Sequence, residues 1–175
     1  AKELDRPVKM VYSREADTEF MFPRTAGMFR MQAGTTGGRI EAWKVSAASA
    51  WTYPRQAPGF LAEDAETPGE KLDAYSINGA NHWYTMENQK VLLSLNEMAQ
   101  SAMPAGSLRD VSSGPAIWAT ESFIDELAHA MGTDPLALRL SMLDGAGHNA
   151  GSGITAGGAT RLAKVLKLAA EKAGY

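Results

Sequence analysis

Residues 116–143, AIWATESFIDELAHAMGTDPLALRLSML, decide how this chain is read. Ser122, Asp125, Glu126 and His129 recur three and four positions apart, so they share one stripe of a helix. Ile117, Ile124, Leu127, Ala128 and Met131 take the opposite arc, widened by Phe123 and Ala130. Gly132 supplies the stop, because glycine accepts the left-handed conformation that ends a helix. Asp134 then suits an N-cap and Pro135 the first position of a second helix, its fixed φ already helical. The spacing predicts helices over 116–131 and 135–143, the second turning Leu136, Leu140 and Leu143 to one side and closing at Asp144-Gly145.

One residue breaks the pattern. Glu121 lies four after Ile117 and three before Ile124, inside the apolar arc. A buried carboxylate must be paired or hydrogen-bonded, since leaving it bare costs several kcal/mol. Two readings stand: Glu121 supports the preceding loop through backbone N–H groups or an arginine, or it sits half-exposed at the edge of a wide face. Ahead of the helix runs Leu108-Arg109-Asp110-Val111-Ser112-Ser113-Gly114-Pro115. Its small residues allow close approach of a ligand, and the N–H groups of a helix start attract anions. Read on composition alone, an ordinary loop-to-helix joint fits this stretch as well.

Working outward, residues 7–12 (PVKMVY), 26–33 (AGMFRMQA), 39–50 (RIEAWKVSAASA) and 91–96 (VLLSLN) read as strands. Residues 13–17 suit a turn of helix, and 34–38 (GTTGG) have the length of a hairpin loop. In 39–50, Ile40, Ala42 and Lys44 alternate with Glu41, Trp43 and Val45, a mixed pattern suggesting that both faces are partly covered. From 51 to 89 periodicity disappears, yet Trp51, Tyr53, Phe60, Tyr75, Trp83 and Tyr84 fall there. Aromatics are scarce in solvated linkers, so this long Pro-containing segment packs on something. A last helix is expected over 159–173, burying Leu162, Val165, Leu166, Ala169 and Ala173. The fold class is α+β: an antiparallel sheet fragment with helices packed on one side. One partial domain spans 1–175. It divides into the sheet fragment (1–50), the aromatic loop region (51–90), the strand, Arg109 loop and two helices (91–145), and a Gly-rich loop with the last helix (146–175).

Composition excludes several functions. The 175 residues carry a net charge of −3, which disfavours a nucleic-acid surface. No apolar run approaches the ~20 residues that span a bilayer. Cysteine is absent, which removes disulfides, thiolate metal sites and iron–sulfur ligation from this chain. His82, His129 and His148 are too far apart for a helical zinc pair, and structural or solvated roles are the simpler reading of His82 and His148. Asp125 and His129 have the spacing of a helix-surface pair, with no nucleophile to complete a triad. The Gly157-Gly158 pair lacks the Lys-Ser/Thr of a nucleotide loop. The chain opens on Ala1 and moves directly into a strand-like run, and is expected to be cut from something longer.

The run LRDVSSGPAIWATESFIDELAHAMGTDPLALRLSML resembles the molybdopterin-binding large subunit of the xanthine dehydrogenase and aldehyde oxidase family of molybdenum hydroxylases. LDRPVKMVYSREAD and GGRIEAWKVSAASA resemble its N-terminal segments, while SINGANHWY and DGAGHNAGS are similar to the isoquinoline 1-oxidoreductase β-subunit subgroup. The resemblance implies oxidation of an aldehyde, or hydroxylation of an N-heteroaromatic carbon, with water as oxygen source. It implies a molybdenum-bearing molybdopterin, of the cytosine dinucleotide form, and iron–sulfur clusters on a partner. The implied partners are the remainder of the large subunit, a small [2Fe-2S] subunit, a cytochrome c electron acceptor and a small-molecule substrate. The implied setting is a periplasmic or membrane-associated bacterial complex.

Residue by residue, Leu108, Arg109, Asp110, Val111, Ser112, Ser113 and Gly114 match the family's cofactor and substrate-pocket loop, with Glu121 as its support. Val111 stands where purine-oxidising members carry an aromatic ring, which points away from purines. Asp110, Ser112 and Ser113 depart from the small residues or glycines usual there. No catalytic base and no metal ligand has a counterpart in this chain, so the isolated chain is not expected to be active. A non-catalytic scaffold or interaction domain of the same ancestry is the alternative.

Overall fold

The computed structural model describes residues 2–80, 82–103, 105–108, 111, 113–144 and 158–175. Its centre is a hairpin, β1 (Gly27–Thr36) and β2 (Arg39–Ser49), joined through Gly37 and Gly38. Both glycines have positive φ, 58° and 80°, the conformation that a two-residue turn matched to strand twist demands. The loop expected over 34–38 thus shrinks to two residues, and Gly34–Thr36 join the strand. Between the pairs Gly34–Ala42 and Thr35–Ile40 one residue of β2, Glu41, is left over. This bulge shifts the alternation by one, so Ile40 points into the core on the same side as Trp43, Val45 and Ala47. The mixed pattern seen in the sequence reflects this bulge, while the second face is partly covered only at Ser46 and Ala48.

The expected α+β class holds, but the sheet is mixed rather than antiparallel. β5 (Asn88–Leu95) lies beside β2 and runs parallel to it, giving the order β1-β2-β5. Parallel neighbours need a crossover of a dozen residues or more, and the non-periodic stretch after β2 provides it. That crossover contains α2 (Tyr53–Gln56), a small ladder of β3 (Ala62–Glu63) with β4 (Lys71–Leu72), and a 3-10 turn over Ala74–Ile77. Its anchor is the fully buried Asp73. The Asp73 carboxylate accepts from the Thr52 and Tyr53 amides at 2.9 and 2.8 Å, from Ser76 Oγ at 2.8 Å and from the Tyr75 amide at 3.1 Å. With that many donors a buried carboxylate is satisfied. Tyr53 and Tyr75 stack beside it, 4.8 Å between centroids and 2° from parallel.

Residues 7–12 do not form the strand their alternation suggests. Val8, Met10, Val11 and Tyr12 are exposed, and among the described residues no strand pairs with them. Alternation without a neighbour to supply ladder hydrogen bonds does not make a strand. They lead into α1 (Arg14–Phe20), capped by Ser13, whose Oγ accepts from the Ala16 amide.

The core lies on one face of the sheet. Trp43, Val45 and Ile40 meet Ile124 and Ala128 of α4 (Ser113–Ala130), with Leu138, Met142 and Leu143 from α5 (Pro135–Ser141) and the chain after it. Ala159 opens α6 (Ala159–Ala173), which also reaches this cluster. Phe29, Met31 and Ala33 of β1, directly opposite Ala47, Val45 and Trp43, complete it. A short helix α3 (Glu97–Ala102) follows β5, capped by Asn96.

The helices refine the sequence reading. α4 begins at Ser113, three residues earlier than expected, because Pro115 falls in the first turn, where its missing N–H would have no intrahelical partner. Its buried stripe is Ser113, Ala116, Ala119, Thr120, Ile124 and Ala128, while Ile117 is half-exposed and Trp118 mostly exposed. Small side chains in the first two turns set which arc faces inward. In α5 the buried leucine is Leu138, with Leu136 and Leu140 only half-buried, because Arg139 bonds to α4 and so turns the helix. α6 packs through Leu162, Ala163 and Leu166, leaving Val165 exposed, so its covered face is narrower than predicted. Gly132 (φ 64°) and the Asp134 cap, accepting from the Ala137 amide at 2.7 Å, fall where the sequence places them.

Candidate cofactor-binding site

The candidate loop ends on the longest helix. Ser113 and Gly114, expected as loop residues, are the first residues of α4, with Ser113 buried. Ahead of them the Val111 amide donates to the Leu108 carbonyl at 2.6 Å, closing a tight turn in which Val111 takes φ 39°. A branched residue is disfavoured at positive φ, which marks this turn as held by its surroundings. Leu108 and Val111 are half-buried. Arg109, Asp110 and Ser112 lie outside the described residues, as do residues 145–157 with His148 and Gly157.

Two glycines make close contacts on either side of this turn in sequence, one against α4 and one against Phe22. Gly79, at φ 99°, lies against the first turns of α4: a Cβ there would come within 2.8 Å of Ile117 Cγ1 and 3.2 Å of the Ser113 carbonyl oxygen. Gly106 lies under the Phe22 ring, where a Cβ would come within 2.6 Å of Cγ. The Gly106 amide donates to the Pro23 carbonyl at 3.2 Å, and Ser107 Oγ bonds Gln56 Oε1 at 2.6 Å. None of these partners is visible in the sequence, because Phe22 and Gly106 are 84 positions apart. The only sequence signal is the glycine itself.

Glu121 follows about 12 Å further along α4, at ~1.5 Å per residue. Its carboxylate accepts from Tyr84 Oη at 3.0 Å and from Arg139 Nε at 2.8 Å. Arg139 Nη2 also donates to the Glu121 carbonyl at 2.9 Å, and Nη1 to Asp125 at 2.6 Å. Both readings left open are met in part: Glu121 has an arginine partner, and it is half-exposed at the edge of the helix face, tying α4 to α5 and to Tyr84. Burial first, then the Glu121 charge, push the Tyr84 phenol well above its ordinary range, so it stays a donor. Burial works against the Arg139 charge, but Asp125 and Glu121 more than offset it. Asp125 thus serves Arg139 and not His129, as helix spacing had suggested.

The arrangement suits an anion. The first N–H groups of α4 have no partner within the helix, and no acidic side chain lies in its first turn. Among the described residues no cluster of three or more histidines or carboxylates could hold a metal directly. A profile for the molybdopterin cofactor-binding domain matches residues 1–143, most of the chain. The chain belongs to the molybdopterin cofactor-binding domain family. Over 172 residues, 97% of its length, it is 33% identical to a membrane-bound aldehyde dehydrogenase [pyrroloquinoline-quinone] from Gluconacetobacter polyoxogenes. It spans 22% of the length of that relative. Among the described residues no helix is long and apolar enough to cross a membrane.

Proposed function

We propose that this chain forms one wall of the cofactor and substrate pocket of a molybdenum-dependent oxidoreductase that acts on aldehydes. The observation that carries the reading is the tight turn at Leu108–Val111 running into the acid-free first turn of α4, within a molybdopterin cofactor-binding domain. The residues fit the group: anionic phosphate or pterin oxygens are suited to the α4 amides and to the Arg109 guanidinium. The bound cofactor would supply the redox chemistry, and the protein's share is placement and charge. In this reading Leu108, Arg109, Asp110, Val111, Ser112, Ser113 and Gly114 line the pocket. Glu121 supports it from behind, keeping α4 fixed on Arg139 and Tyr84.

The name of the relative favours an aldehyde over an N-heteroaromatic substrate. The aliphatic Val111 agrees, offering no ring to stack on a planar heterocycle. The finer inferences are a cytosine dinucleotide form of the cofactor, and electrons leaving through iron–sulfur clusters on a small partner subunit to a cytochrome c. The cysteine-free composition supports placing the clusters elsewhere. A membrane-associated complex is inferred from the relative's name. Arg109→Ala in the assembled enzyme tests the reading. A loss of about tenfold or more in kcat/KM is expected, the usual size for an orienting charge. Unchanged kinetics and molybdenum content would remove Arg109 from the site and favour a scaffold role.

A further inference from the structure

We propose that Phe22, remote in sequence from the 108–114 segment, is a positioning residue that holds the leading end of that segment in place. The contact is built from three sides. Phe22 covers Gly106 so closely that any side chain there would collide with the ring: a Cβ would fall 2.6 Å from Cγ and 2.8 Å from Cδ2. Gly106 has no positive φ, so this close approach and not backbone conformation is what requires glycine. The next residue back, Ala105, is buried. The peptide beside Phe22 joins in, the Pro23 carbonyl accepting the Gly106 amide. Behind the ring stands α2: the Arg55 guanidinium lies 4.6 Å from the Phe22 centroid, in cation–π range, and Gln56 bonds Ser107.

From Gly106 the constraint passes directly into the turn. The Gly106 carbonyl accepts from the Leu108 amide at 3.0 Å, and the Leu108 carbonyl accepts from the Val111 amide at 2.6 Å. Gly79 packs separately against the first turns of α4, at Ser113 and Ile117. Val111 at φ 39° takes a conformation that a branched residue does not adopt when relaxed. Phe22 therefore sets where Leu108 starts. Phe22 itself lies on the segment between α1 and β1 and is half-exposed, its ring covering Gly106 on one side, while Phe20 is mostly exposed.

This inference rests on the proposed role of the Arg109 segment, and the test separates the two. The assembled enzyme is compared with Phe22→Ala, Phe22→Tyr, Gly106→Ala and Phe20→Ala, each at matched molybdenum content and with its melting temperature recorded. Amide hydrogen exchange over residues 105–111 should rise about tenfold in Phe22→Ala, with the β1-β2-β5 amides unchanged, as expected for a local release. KM for the aldehyde should rise roughly fivefold with kcat within a factor of two, the pattern of lost binding geometry. Phe22→Tyr keeps the ring and should restore both readouts; Phe20→Ala should match the wild type. Gly106→Ala, which pushes a methyl group into the ring from the other side, should reproduce the Phe22→Ala pattern. If exchange over 105–111 stays at the wild-type rate in Phe22→Ala and in Gly106→Ala, the proposal is wrong. A rise in exchange without a KM change also refutes positioning if Arg109→Ala is impaired. If Arg109→Ala is silent too, the assignment of the segment as a pocket has failed, and exchange alone decides the Phe22 contact.

Discussion

Acidification should weaken this fold through one side chain, His82. The ring is buried, 9% exposed, and among the described residues neither nitrogen has a hydrogen-bond partner. It meets Trp43 edge-on at 5.5 Å between centroids and lies tilted against Tyr84 at 5.4 Å. Burial depresses its pKa from 6.5 to about 4, with nearby backbone of Tyr84 and of His82 itself offsetting only part of the effect. Unfolded chains bind this proton near 6.5 and the fold only near 4. Between those values the unfolded state holds more protons, so stability rises with pH there. The contribution is complete above about pH 6.5 and is lost as pH falls toward 4. The full span is roughly 3 kcal/mol, and about 2 kcal/mol of it is gone by pH 5. Urea unfolding followed by tryptophan fluorescence at pH 7 and pH 5 measures the loss. His82→Phe keeps an aromatic ring against Trp43 and has no proton to gain, so its drop between the two pH values should be smaller by that 2 kcal/mol. An equal drop in wild type and His82→Phe would refute the reasoning, whatever its absolute size.

Two further outcomes follow from buried polar groups. Asp73→Ala strips the acceptor from three amides and a hydroxyl around Thr52–Ser76, and should cost roughly 3 kcal/mol in chemical unfolding. Arg139→Leu leaves Glu121 and Asp125 without their cation where α4 meets α5, and should destabilise by about 2 kcal/mol. Arg139→Lys should recover little of it, because an ammonium cannot bridge the Glu121 carboxylate, the Glu121 carbonyl and Asp125 at once. A full recovery by lysine, measured in the same unfolding assay, would show that charge and not fork geometry holds the helices.

Local chemistry made the helical half legible. Gly132, Asp134 and Pro135 mark a stop, a cap and a start whose physics is confined to four residues, and the structure follows them. The same holds for Gly37-Gly38, where positive φ at both positions selects glycine. What could not be read depends on partners far away in sequence. Residues 7–12 alternate like a strand, but pairing needs a neighbour that alternation cannot supply. The bulge at Glu41 moves Ile40 to the core face, and a register shift leaves only a blurred pattern in sequence. The crossover after β2 hid both its role and its anchor: nothing near Asp73 in sequence announces that Thr52 and Tyr53, twenty residues earlier, supply its donors. At the site, Arg109 and Val111 were marked by resemblance, whereas Phe22, Gly79 and Gly106 become visible only through distances.

The central claim is that this domain serves a molybdenum cofactor, although the relative from Gluconacetobacter polyoxogenes is named for a quinone. Metal and cofactor analysis of the assembled enzyme decides between them. Molybdenum in proportion to protein is expected, together with a fluorescent pterin on acid oxidation, and both should be lowered in Arg109→Ala. A fully active aldehyde-oxidising enzyme that carries quinone and no molybdenum would contradict it.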